Sequence, residues 1–357
     1  MEIEFEVRGG VAFLTLNRPE ALNALNLAMI GALREALCAI ESDDSVHALV
    51  MRGAGARAFC AGGDIRALYD SNRAGSRLHR DFFVDEYRLD FSLHRFAKPY
   101  VALADGITMG GGMGLAQAAW RRVVGDRTRI AMPEVGIGLI PDVGGSYFLS
   151  RLPGALGAYL ALTGRELRAA DAIEAGLADL YLSPAALERL EAALTQLRWQ
   201  DDPRRELEQA LRALASPPPP GTLAPLREAI DRHFAGGDVA AILASLQAER
   251  DPRYAAWAAE TASLMQTRSP TMLQVSLRAL AAGRQGTLAD AFRMEYTVVQ
   301  HCFVQGDLAE GVRALIIDKD KKPQWRPARL EEVEPASVEA FFRAPPGPHP
   351  LADLGAR

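Results

Sequence analysis

Twice in the N-terminal third of the chain, a short apolar run passes into clustered glycines and then into a helical pattern. The first run, Val46 to Met51, ends at Gly53 and leads to FCAGGDIR, Phe59 to Arg66. The second, Tyr100 to Ala104, leads to DGITMGGGMGL, Asp105 to Leu115. Gly112 to Trp120 then reads as helix and Arg121 to Val124 as strand again. Strand, turn and helix repeated in this order predict an α/β region. A hairpin precedes it, with strands over 3–8 and 11–16 joined at Gly9–Gly10. Asn26 stands where it can cap a helix carrying Leu33, Leu37 and Ile40 at helical spacing.

The pattern then becomes mainly helical. Short helices are expected over 155–162 and 169–175, the latter closed by Gly176. Residues 185–214 are rich in Ala, Leu, Glu and Arg and read as helix, and the four prolines between Ser216 and Gly221 demand a loop. Ser269–Pro270 opens a further helix, Gly283 and Gly286 interrupt the pattern, and another helix runs from Leu288 to about Gln305. The Pro- and Arg-rich C-terminal stretch reads as extended or loosely packed. There is no tandem repeat of fixed period. The expected division is a core over 1–190 and a mainly helical region over 191–357.

With 357 residues, 49% apolar and 24% charged, the chain has the balance of a globular protein with a large core. Forty basic against 45 acidic residues give a net charge of −5, which does not invite nucleic acid or an anionic membrane. Cys38, Cys60 and Cys302 are widely spaced, so they form no zinc motif and suit a reducing compartment. The start, MEIEFEV, is neither a signal peptide nor an Arg-rich transit peptide. The longest apolar stretch, Tyr100 to Trp120, holds Asp105 and five glycines, against a membrane span. A cytoplasmic protein is expected.

The glycine turns expose backbone N–H groups beside helix N-termini. Neither is a Walker A loop, since no Gly-Lys-Ser/Thr follows. One N–H from each turn, converging on one oxygen, would make an oxyanion hole for a thioester or related carbonyl. A third segment, MPEVGIGLIPDVGGSYFLSRL from Met132 to Leu152, sets Glu134 and Asp142 in an otherwise apolar, turn-rich stretch. Two carboxylates there are costly to bury without a task or a partner, and one is expected to hold a proton while the other stays ionised. Glu86, in FFVDEYRLD, lies among aromatics on a helix, where a solvated face is the default. His79 and His94 have no partner at triad or metal-ligand spacing, and no metal site is expected.

ALNAL (Ala21 to Leu25), FCAGGDI, ITMGGGMGL, MPEVGIGLIPDVGG and LTGRELRAADAIEAGLAD occur in the order typical of the crotonase, or enoyl-CoA hydratase/isomerase, superfamily, which the chain resembles. The resemblance implies a spiral of repeated ββα units with a helical C-terminal region. It implies an acyl-CoA thioester as the small-molecule substrate, with the oxyanion held by Gly63 and Gly111. Coenzyme A would run past Gly63, Asp64 and Ile65, and Glu86 would contact the acyl end. CoA is then part of the substrate, and no other cofactor is expected. A homo-oligomer is compatible with the superfamily. Lys319, Lys321 and Lys322 are read as a solvated patch rather than phosphate ligands.

Within the superfamily the pairing of MPE with PDVGG and the tail EGVRALIIDKDKKPQWRP resemble its thioester-hydrolase branch. Where hydratases carry a second carboxylate just after the triple glycine, this chain has Gly114. A glycine does no acid–base work, and the second carboxylate is Asp142 instead. The resemblance therefore implies hydrolysis of a short-chain 3-hydroxyacyl-CoA, with 3-hydroxyisobutyryl-CoA (valine degradation) the expected substrate. Glu134 would activate water or attack directly, and Asp142 would orient the 3-hydroxyl. The alternative within enzymes is an enoyl-CoA hydratase or isomerase. Outside them it is a non-catalytic acyl-CoA-binding protein.

Overall fold

The computed structural model describes residues 1–200, 202–345 and 347–356. The chain forms two compact units that interleave in sequence. Unit 1 comprises Met1–Asp64, Arg88–Ala131 and Glu166–Thr222; unit 2 comprises Ile65–Tyr87, Met132–Arg165 and Leu223–Arg357.

Unit 1 carries every strand among the described residues. The strands are β1 (Ile3–Arg8), β2 (Val11–Leu16), β3 (Ala48–Gly53), β4 (Ala58–Cys60), β5 (Tyr100–Leu103), β6 (Ile107–Met109), β7 (Arg121–Val124), β8 (Arg129–Ala131) and β9 (Leu180–Tyr181). One sheet has the order β1-β2-β3-β5-β7-β9 and the other β4-β6-β8. Among the described strand pairs only β1 and β2 run antiparallel. Successive strand pairs, β3 with β4, β5 with β6 and β7 with β8, send their first strand to the larger sheet and their second to the smaller. That is a spiral of ββα units. The repeat has no fixed period because its helices differ: Ile65–Arg73 and Leu78–His94 separate β4 from β5, but only Gly111–Gln117 separates β6 from β7.

Burial follows from position in the sheet. β2, VAFLTL, is buried along its whole length as an interior strand, whereas β1 at the edge exposes all but Ile3. In register, Phe13 faces Val50 and Val50 faces Val101. These residues pack with Leu190, Leu194, Leu207 and Leu211 in one buried cluster. The helical stretch expected over 185–214 is two helices, Pro184–Thr195 and Pro203–Leu214. Pro203 cannot donate within a helix interior, so it opens a new one, behind the Asp202 cap. Because both helices bury their apolar stripe on the sheet, unit 1 extends to Thr222, and the division expected at residue 190 does not follow the compact units.

Among the described residues unit 2 is helical, and in it the Tyr159 ring contacts those of Phe234 and Trp257. Ser269 caps the helix Pro270–Gln285 as expected. That helix runs through Gly283 rather than breaking there, and Gly286 ends it. A side chain at Gly283 would collide with the Ser146 carbonyl, so glycine here serves a close approach. The C-terminal stretch is better packed than its composition suggests: Trp325, Phe341, Leu351 and Leu354 are buried. No helix among the described residues is long and apolar enough to cross a membrane.

Candidate active site

In unit 1 the two glycine turns lie against each other because β4 and β6 pair in parallel. Gly62 has φ +105°, and a Cβ on it would stand 3.2 Å from the Met109 carbonyl oxygen and 3.5 Å from the Gly111 nitrogen. A Cβ on Gly112 would run into the Cys60 carbonyl. Only glycine permits both approaches. The Leu25 N–H donates to the Gly62 carbonyl and the Asp64 N–H to the Leu25 carbonyl, both at 2.8 Å, which brackets Gly63. Neither the Gly63 N–H nor the Gly111 N–H finds an acceptor among the described residues. Two amides with unused donor capacity thus sit at the positions expected to hold an oxyanion. Asp64 is engaged by Arg18, whose Nη2 donates to Oδ2 at 3.1 Å.

Unit 2 holds the acids. Glu134 opens a 3₁₀ turn, Glu134–Ile137, closed by Gly138 in the left-handed region. It is 6% exposed, and its Oε2 has no hydrogen-bond partner among the described residues. Burial, then the negative charge of Asp142, push its carboxyl well above the usual range. Asp142 is 4% exposed and accepts the Tyr87 hydroxyl at 2.5 Å. Burial raises its carboxyl to about 6, opposed by the Tyr87 bond and by its own backbone. The pair is a coupled one, with the proton favoured on Glu134. Tyr87 itself is held protonated by burial and by the neighbouring Asp142 charge.

Glu86, expected on a solvated face, is buried at 2% exposure, next to Tyr87 on the helix Leu78–His94. Phe82, Phe83 and Tyr87 on that helix are buried too, and so is Asp90. Ile65 lines a small, mainly apolar cavity of about 10 Å³ with Tyr69, Phe83, Leu139 and Phe303. His79 is a core residue, its Nδ1 3.2 Å from the Ser71 hydroxyl, and His94 is half-buried, desolvation lowering its pKa to about 4. Lys319, Lys321 and Lys322 are exposed. A cavity of about 940 Å³ in unit 2 is lined by Leu149, Phe234 and Leu277 among others and by none of the expected residues. Its Arg278 and Glu339 pair with each other at 3.0 Å, so the chemistry is assigned to the buried acids.

Sequence reasoning missed Tyr87 and Glu295. Glu295 is fully buried and accepts the Gly144 N–H at 2.7 Å, the Ser146 N–H at 2.8 Å and the Ser146 hydroxyl at 2.5 Å. A signal was present: Glu295 falls on the same helical stripe as Phe292, Val299 and Cys302, where an apolar residue is the rule.

The spiral of ββα units, the paired glycine turns and the two buried acids describe one family. The enoyl-CoA hydratase/isomerase family matches residues 11–342, and the chain belongs to it. More particularly, the chain is similar to a Xenopus tropicalis protein named 3-hydroxyisobutyryl-CoA hydrolase, mitochondrial. The two are 40% identical over 339 residues, 94% of this chain and 86% of that one. Similarity extends to 3-hydroxyisobutyryl-CoA hydrolase 1 of Arabidopsis thaliana, 36% identical over 96% of this chain and 91% of that one. Among solved structures, a carnitinyl-CoA dehydratase from Mycobacterium thermoresistibile superposes with TM-score 0.90 at 44% identity, covering 99% of each chain. An enoyl-CoA hydratase from Rhodobacter sphaeroides 2.4.1 superposes with TM-score 0.85 at 38% identity, covering 96% of this chain and 97% of that one.

Proposed function

We propose that this protein hydrolyses 3-hydroxyisobutyryl-CoA to 3-hydroxyisobutyrate and free CoA, the activity named for its relatives in Xenopus and Arabidopsis. The observation that carries the chemistry is the unpartnered, buried Oε2 of Glu134, held in an apolar setting with its proton affinity raised. Such a carboxylate is a strong general base once ionised. In this reading the Gly63 and Gly111 N–H groups take the thioester oxygen as negative charge develops on it. Water attacks the carbonyl carbon and gives its proton to Glu134. The tetrahedral intermediate then expels the CoA thiolate, which takes up a proton. Asp142 holds the 3-hydroxyl and relays that proton, and Glu86 helps to hold the acyl end. CoA passes along Gly63, Asp64 and Ile65. Valine degradation is the metabolic setting proposed. The cytoplasm is the compartment proposed from the three free cysteines, whereas the Xenopus relative is named mitochondrial.

The names of the two solved structures favour a second reading, alkene hydration or its reverse. Against it stands the turn after the triple glycine: Gly111–Gln117, GGMGLAQ, contains no carboxylate. The deciding experiment follows thiol release from 3-hydroxyisobutyryl-CoA beside the absorbance of crotonyl-CoA. Rapid thiol release, lowered about 10²–10⁴-fold by Glu134→Gln and strongly by Asp142→Asn, is expected. Loss of crotonyl-CoA absorbance without thiol release would instead assign the hydratase reaction.

A further inference from the structure

We propose that Glu295 is the positioning residue for Asp142, a role resting on the reading that Asp142 acts in the thioester reaction. The chain after Asp142 adopts a costly shape. Val143 has φ +52° and Gly144 φ +84°. A β-branched residue in the left-handed region is strained and persists only where its surroundings enforce it. The enforcing group here is one carboxylate. Glu295 Oε2 accepts the Gly144 N–H, while Oε1 accepts both the Ser146 N–H and the Ser146 hydroxyl. These donors all lie within four residues of Asp142. The turn is also closed internally, by the Gly145 N–H on the Asp142 carbonyl at 2.7 Å.

The same helix, Leu288–Gln305, reaches Asp142 by a second route. Its Phe292 packs against the Tyr87 ring at 5.4 Å between centroids, and Tyr87 donates to Asp142 Oδ2. One rigid element thus fixes the backbone that follows Asp142 and supports the phenol that orients its side chain. The close approach of Gly283 to the Ser146 carbonyl braces the turn from the neighbouring helix. The titratable groups that interact with Asp142 or Glu295 include Tyr87, Glu134 and Cys302. Burial raises the Glu295 carboxyl to about 8 against the pull of its three donors. A carboxylate kept there is expensive, and the geometry of the turn is what it secures.

The test is a double-mutant cycle read in kcat and KM for thiol release above pH 8, where Glu295 is ionised. Glu295→Gln keeps one acceptor oxygen but sets an NH₂ against one of the three donors. It is expected to lower kcat about tenfold or more while KM for the acyl-CoA stays within about twofold, since misplacing a reacting group acts on the chemical step. Glu295→Asp should recover part of the loss. In an Asp142→Asn background, Glu295→Gln should change kcat less than about twofold, because its effect passes through the missing carboxylate. If Glu295→Gln fails to fold, Ser146→Ala, which removes a single donor, carries the same cycle. Wild-type kcat in Glu295→Gln, an effect wholly in KM, or full multiplicativity with Asp142→Asn would overturn the proposal. Undiminished thiol release by Asp142→Asn alone would instead remove the underlying reading of Asp142.

Discussion

A carboxylate's usefulness at neutral pH is set by what surrounds it. Glu134 and Asp142 are both buried, yet only Asp142 has a hydroxyl bonded to it, and its carboxyl settles at about 6 while Glu134 is pushed further from its ordinary value. The reaction proposed needs the ionised pair. As pH falls, the raised pKa values are crossed early, so kcat/KM should begin to drop well above the range where a free carboxylate titrates. The profile of kcat/KM for thiol release against pH reads this directly. The Tyr87 hydroxyl favours the ionised form of Asp142, so Tyr87→Phe must raise the pKa of that carboxyl. The lower step of the acid limb, which Asp142 governs, is then expected to move up by about one to two pH units, the worth of a hydrogen bond to a charged group. A limb that stays in place would dissociate Tyr87 from the titration.

At the scale of elements, the glycine turns are constrained by backbone contact. Gly112 lies at the start of the helix Gly111–Gln117 with no room for a Cβ beside the Cys60 carbonyl. Gly112→Ala should therefore cost about 1–3 kcal/mol in denaturant unfolding, in line with overpacking, and reduce thiol release by displacing the Gly111 N–H. Gly31 provides the contrast. It is an exposed residue inside the helix Leu27–Ser42, and a Cβ there meets nothing within 4 Å. Gly31→Ala is expected to stabilise the protein by about 0.5–1 kcal/mol and leave turnover unchanged. The same substitution thus has opposite signs in two helices.

For the whole molecule, the buried acids of unit 2 couple stability to pH. Glu134, Asp142 and Glu295 all have raised pKa values, with about 6 for Asp142 and about 8 for Glu295. The folded protein therefore binds these protons more tightly than the unfolded chain does. Their stabilising contribution is full below the ordinary carboxylate range and is lost as pH rises to about 8. Each such proton changes the stability by up to about 1.4 kcal/mol per pH unit. Carboxylates such as Asp251 and Asp290, lowered to about 2, act in the opposite direction but only below about pH 4. Unfolding free energy should accordingly decline between about pH 4.5 and 8. Glu295→Gln should flatten the upper part of that decline, which denaturant titrations at several pH values can measure.

Much of this protein was legible in its residues because the deciding interactions are local. The Gly9–Gly10 hairpin, the Asn26 and Ser269 caps, Gly176 closing its helix, and both glycine turns depend on neighbours a few positions away. Gly63, Gly111, Glu134 and Asp142 sit inside such segments, so the order of the motifs was enough to nominate them. The tertiary structure decided what short spacing cannot encode. Tyr87 meets Asp142 across 55 residues, and Glu295 meets Ser146 across 149. Glu86 and Glu295 would be ordinary solvated acids on an isolated helix, and only packing removes water from them. The interleaving of the two units is likewise a product of packing. An apolar helical stripe encodes that it must be buried, and which surface buries it is settled when the whole chain folds.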